Sequence, residues 1–247
     1  MPEFTPVIQS LIDRHFPPET HPYRQLEAAV EGRLSPDATV LEIGCGRTAP
    51  VLRQLKGRAG RLIGTEVIDF AIDDPDLELL IQDVGDMHGI ADNSVDLAFS
   101  RSVMEHVPDG DAAFREIARV LKPGGRYVFL TPSLYDYGSL VAALMPNRLH
   151  PWIVRRVEGR AEEDTFPTQY QCNTKRRVRR LAHSHGLDVA EFAFLGQYPN
   201  YLKFNAFLFR LGCWYAKLLE RLKPLHPMQG WIFCTVQKPS DASASPP

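Results

Sequence analysis

The sequence predicts an α/β fold: a mostly parallel, seven-stranded sheet with helices on both faces and an inserted helical cap. Three observations predict it. From residue 39 onward, short apolar runs alternate with helical stretches, the rhythm of strands joined by helical crossovers. Those runs are continuously apolar rather than alternating, which marks strands buried on both faces. A chain of 247 residues, 44% hydrophobic and 23% charged, is also long enough to bury one full core of this kind.

Residues 1–36 read as a helical cover in pieces separated by prolines, with a helix over "YRQLEAAVEGRL" (23–34) that ends near Ser35-Pro36. Strands are predicted at 39–43, 61–67, 77–82, 95–100 and 126–131. Between the second and third, "IDFAIDDPD" carries one proline and four acids, so that crossover is expected to be short or irregular. The stretch 111–121 places Ala113, Phe114, Ile117, Ala118 and Leu121 on one helical face, and "KPGG" stops it. Residues 133–172 carry few strand signals and are too long for a plain loop, which predicts a cap of short helices. A helix at 174–186, a strand at 188–195, an apolar helix at 205–222 and a last strand at 230–238 follow, and the tail 239–247 is expected to be disordered.

Composition excludes several function classes. A net charge of −2 gives no global basic field for nucleic acid. In "KRRVRR" (175–180) the arginines fall mostly on the solvated face of a helix whose other face is apolar. Cys45, Cys172, Cys213 and Cys234 form no CxxC pair, so neither a zinc site nor a disulfide framework is indicated. Reduced thiols and an N-terminus unlike a secretory signal make the cytoplasm the expected location. The apolar stretch 204–222 is broken by Arg210 and Lys217 and does not read as a membrane span. Its two readings are a core helix and a surface for a greasy or membrane-borne substrate. Oligomeric state is not legible.

The chemistry concentrates at "VLEIGCGRTAPVL" (40–52), a strand, a glycine turn and a helix start. Gly44-x-Gly46-x-x-Ala49 loosely fits a dinucleotide fingerprint, and Glu66 lies twenty residues past Gly46, where a ribose-binding acid would sit. Those two features alone suit a nicotinamide-dependent oxidoreductase. Three others point elsewhere. Glu42, at the strand end, would repel a pyrophosphate and favour a cation, unless it pairs with Arg47. Asp83 closes the third strand, where its carboxylate and the N–H of Val84 suit an adenine edge, with Asp86 competing for that role. Finally, "NSVDLAFSRSVMEHV" followed by "REIARVLKPGGRYVFLTPS" sets a strand, a short turn, a helix and a Gly-Gly start to the next strand.

Through "LEIGCG", "GTE", "QDVGDM", "SVDLAFS" and "LKPGG", in that order, the sequence resembles the class I S-adenosylmethionine-dependent methyltransferases, particularly the small-molecule group that includes the quinone-biosynthesis enzymes. The resemblance is strong over 37–132 and weak over 174–195. It implies a Rossmann-like methyltransferase domain over 37–238 and S-adenosyl-L-methionine as cofactor. It further implies that Gly44, Cys45 and Gly46 approach the methionine part and that Glu42 holds its amino group through the turn or a water. Glu66 takes the ribose hydroxyls, Asp83 with Val84 the adenine, and Ser100, on the turn after strand four, offers its backbone. Thr48 stands where many members have a third glycine, which narrows the approach to the helix start.

The expected reaction is in-line methyl transfer to a small-molecule acceptor, with a hydroxyl favoured over amino nitrogen or cytosine carbon. The turn "FSRSVMEHV" lacks both the Asn/Asp-Pro-Pro-Tyr pattern and a Pro-Cys nucleophile. No clustered Asp/Asn ligands suggest a metal. His106 suits a general base by its near-neutral pKa, against a plain packing role. Tyr23, His150 and Tyr170 fall in segments expected to cover the acceptor. Arg148, Arg155, Arg156 and Arg160 would suit a phosphate or carboxylate if they converge. Two other classes stay open: the nicotinamide-dependent oxidoreductase, and a non-catalytic partner subunit that keeps the fold.

Overall fold

The computed structural model describes residues 6–137 and 166–240. The expected cap therefore falls mostly outside the described residues, as do His150, the four arginines named with it, and most of the tail.

Seven strands form one sheet in the order β3-β2-β1-β4-β5-β7-β6. In chain order they are β1 (Thr39–Ile43), β2 (Arg61–Glu66), β3 (Glu78–Ile81), β4 (Val95–Arg101), β5 (Leu121–Pro132), β6 (Asp188–Leu195) and β7 (Trp231–Gln237). β1 to β5 run parallel, and β7 inserts antiparallel between β5 and β6. The helices are α1 (Pro6–His15), α2 (Pro22–Glu31), α3 (Pro50–Gln54), α4 (Gly110–Val120), α5 (Lys175–Ser184) and α6 (Ala206–Arg221).

The apolar strand runs are explained by cover on both faces. On one face, Leu41, Ile43 and Phe129 pack under Phe114 and Ile117 of α4 and Val178 and Leu181 of α5. On the other, Val40, Leu62 and Phe99 pack under Leu26 and Val30 of α2 and Val51 and Leu52 of α3. A third cluster joins Ile8 and Phe16 to Phe209 and Cys213 of α6. All four cysteines are buried free thiols.

Helix starts follow their sequence signals. Asp109 caps α4 by accepting from the amides of Asp111 and Ala112, and Asn205 caps α6 by accepting from Phe207 and Leu208. His21 caps α2 through a bond from the Tyr23 amide, with Pro22 at the first helical position. The β2–β3 crossover holds no helix, as the acids and proline of 68–76 predict.

One boundary differs from expectation. α4 ends at Val120, and Leu121 already pairs with Val95. The "KPGG" segment is therefore a bulge within β5, not a turn ahead of it. The register shifts between Val95 and Leu97, and Gly124 takes a φ of +81° that the bulge requires.

Candidate active site

The site is built at the carboxyl ends of the parallel strands, where β1 and β4 diverge to opposite sides. Open α/β sheets bind ligands at such switch points. β1 leads into a turn in which Gly44 and Gly46 both take left-handed φ, +66° and +74°. The two glycines are needed for different reasons. A Cβ at Gly44 would collide with the Val103 side chain, whereas one at Gly46 would meet nothing within 4 Å. Gly46 thus leaves its backbone facing open space. Ala49 is also left-handed, at φ +42°, immediately before Pro50 opens α3.

Carboxylates surround this turn. The two oxygens of Glu66, at the end of β2, accept from the amides of Gly46 (2.8 Å) and Val67 (2.9 Å). Glu42 is 3% exposed and accepts from the Leu52 amide at 3.0 Å. Burial raises its pKa to about 8, against the opposing pull of Arg101 and that amide. Asp83, just beyond β3, is exposed and accepts from the Gly85 amide at 2.7 Å. Val84 beside it is buried, and the Gln82 amide bonds the Glu66 carbonyl, tying the ends of β2 and β3 together. The side chain of Cys45 packs toward Gly64, and its amide donates to the Thr65 carbonyl, so only its backbone belongs to the turn.

Ser100 is not on the turn after β4. It sits inside that strand, opposite Ile43 and Phe129, and its hydroxyl meets the Tyr127 hydroxyl at 2.6 Å in the core. The correction is one of length. β4 runs on to Arg101, and Ser102, at φ +57°, makes the turn.

The N-terminal cover brings Tyr23 here as expected. Its hydroxyl lies 3.3 Å from the Ser102 hydroxyl. Arg101 sits 4.6 Å over its ring and also bonds Glu27, while Trp231 packs edge-on at 5.4 Å. His21 packs against Tyr23, and burial lowers its pKa.

Past the β4 turn lies a polar group that sequence reasoning missed. Glu105 is 4% exposed and accepts from the Thr131 hydroxyl at 3.1 Å. Asn173 donates to that same Thr131 oxygen at 2.9 Å. The Glu105 carbonyl accepts from the amides of Gln169 and Tyr170. Tyr170, at φ +51°, and His106 are thereby drawn to one place. The His106 Nδ1 bonds the Pro167 carbonyl at 3.3 Å, and its ring faces Phe166. The available signal was "MEHV": a carboxylate in an otherwise apolar turn, overshadowed by the neighbouring histidine.

A small cavity of about 30 Å³ lies apart from this, between α6 and the ends of β6 and β7, lined in part by Tyr198, Tyr201 and Tyr215. It has room for about one water.

With this geometry in view, residues 41–129 match the family model described as "Methyltransferase domain". A malonyl-[acyl-carrier protein] O-methyltransferase of Hahella chejuensis is 33% identical over 108 residues, 39% of this chain and 38% of that protein. A highly reducing polyketide synthase of Emericella nidulans is 27% identical over 191 residues, 68% of this chain but 7% of that protein. The chain thus spans well under two thirds of these curated relatives. Among solved structures, a geranyl diphosphate C-methyltransferase of Streptomyces coelicolor A3(2) superposes with a TM-score of 0.56 at 18% identity, covering 96% of this chain and 85% of that one. The fold is that of the class I S-adenosylmethionine-dependent methyltransferases. Residues 41–129, about a third of the chain, are similar to a methyltransferase domain.

Proposed function

We propose that the protein binds S-adenosylmethionine at the glycine turn and transfers its methyl group to the hydroxyl of a small molecule. The observation that carries this reading is the pair of carboxylates Glu66 and Asp83, at the ends of β2 and β3, beside a turn whose second glycine faces open space, with the Glu42 carboxyl buried beneath it and protonated near neutral pH. A cationic adenosyl donor suits that pair, and a diphosphate would be repelled by it.

In this reading Gly44, Cys45 and Gly46 offer backbone to the methionine part. Glu66 exchanges its turn amides for ribose hydroxyls, and Asp83 with Val84 meets the adenine. Glu42 supports the turn from beneath. When bound, the cofactor supplies a sulfonium methyl with a good leaving group, so the protein's tasks are alignment, exclusion of water and proton removal. His106 is assigned the last of these. Its bond to the Pro167 carbonyl keeps the proton on Nδ1 and leaves Nε2, 3.9 Å from the buried Glu105 carboxyl, as the basic nitrogen. The Tyr170 amide is bonded to the carbonyl of Glu105, the residue before His106, and Tyr23 is assigned the N-terminal side of the site.

The oxygen acceptor is supported by the likeness to an O-methyltransferase, and the likeness to a C-methyltransferase makes carbon the competing acceptor. Supplying methyl-labelled cofactor with hydroxylated small molecules and reading the product methyl by NMR separates them. An O–CH₃ resonance is expected, and product methyl solely on carbon would overturn the hydroxyl assignment. His106→Ala is expected to lower kcat about 100-fold with cofactor affinity unchanged.

A further inference from the structure

We infer that α6 lies on the surface of an anionic lipid bilayer, with its outer face in the interfacial region. Of twelve large hydrophobic residues exposed among those described, seven fall within 201–222. On α6 the spacing makes one stripe. Phe207, Leu211 and Trp214 are 68%, 50% and 67% exposed, three or four residues apart, and Phe204 extends the row at 78%. The opposite face is already committed: Phe209 and Cys213 pack on α1, and Tyr215 and Leu219 line the small cavity. The outer stripe is therefore surplus to the core.

Charge selects the occupant. Residues 203–223 contain Lys203, Arg210, Lys217, Arg221 and Lys223 against the single acid Glu220, a local +4 on a chain of net −2. Arg210, Lys217 and Arg221 recur at seven- and four-residue spacing, two helical turns and then one, and so form a basic row beside the aromatic one. Lys217 is held by Glu220 at 2.9 Å, while Arg210 and Arg221 are exposed. Aromatic anchors flanked by cations suit a headgroup boundary with negative lipid. A protein partner would need an acidic, apolar groove; a neutral bilayer would leave the basic row without purpose. No helix among the described residues is long and apolar enough to cross a membrane, so the contact is peripheral. This goes beyond methyl transfer and does not depend on it.

Flotation of the full chain with vesicles of phosphatidylcholine alone, or with phosphatidylglycerol added, tests the inference. Binding to the anionic vesicles only is expected, weakening as salt is raised. The variant F207S/W214S should bind about tenfold or more weakly, since each side chain withdraws apolar area from the bilayer. R210E/R221E should lose the preference for anionic lipid. Both pairs are solvent-facing, and an unchanged melting temperature shows that the fold is kept. Failure to float with anionic vesicles, equal flotation of F207S/W214S, or a dimer in sedimentation velocity that F207S/W214S dissolves would each overturn it.

Discussion

Glu42 is a carboxyl whose ionisation the fold alters strongly. Burial lifts its pKa from 4.5 to about 8, so the folded chain holds that proton more tightly than the unfolded chain does. Stability from this group is complete below about pH 4.5 and is lost as pH rises through 8, by on the order of a few kcal/mol. Glu42→Gln keeps the shape and an oxygen for the Leu52 amide. Urea midpoints should fall between pH 5 and 8.5 in the native protein and stay flatter in the variant; parallel profiles would refute the assignment. Gly44 makes a steric counterpart. Alanine there meets both the left-handed φ and Val103, and should cost about 2–4 kcal/mol in denaturant melts. Glu66→Ala should weaken S-adenosylmethionine binding by about 1–3 kcal/mol, the scale of hydrogen bonds to a charged group. Unchanged calorimetric affinity in the folded variant would refute the ribose role. At this scale the sequence was informative where chemistry is local. The two glycines, Glu66 and Asp83 stand where their spacing predicts. Ser100 was placed on the turn rather than in the strand, and Glu105 was passed over, because where β4 ends and what packs behind its turn are encoded by no local pattern.

Elements were legible where periodicity and capping agree. α4 shows both, with one apolar face and Asp109 bonded to two amides at its start. Asp109→Ala should lower stability by about 1 kcal/mol and leave cofactor affinity intact. A larger loss, or altered binding, would mean that the loop after β4 depends on the same cap. The ends of elements were less legible. "KPGG" signals a stop, and α4 does stop there, yet pairing of Leu121 with Val95 extends β5 backward through the glycines. Long-range hydrogen bonds outweighed a local turn signal. Of the two readings of α6, the core helix holds for its inner face; its outer face is an exposed aromatic stripe, and whether lipid or a greasy substrate meets it is for the vesicle experiment to decide.

The whole molecule separates the two cofactor classes that the glycine turn alone left open. A dinucleotide-binding sheet of the doubly wound kind continues in parallel order past its fifth strand. Here β7 reverses direction and inserts between β5 and β6. The reversal pairs with a carboxylate-lined crevice rather than one suited to diphosphate, and the match over 41–129 agrees with it. Binding selectivity is the most direct check. Titration calorimetry of the full chain with S-adenosylhomocysteine and, separately, NADH should give saturable one-to-one heat with the first and none with the second. Saturable binding of NADH with no response to S-adenosylhomocysteine would contradict the account at its centre.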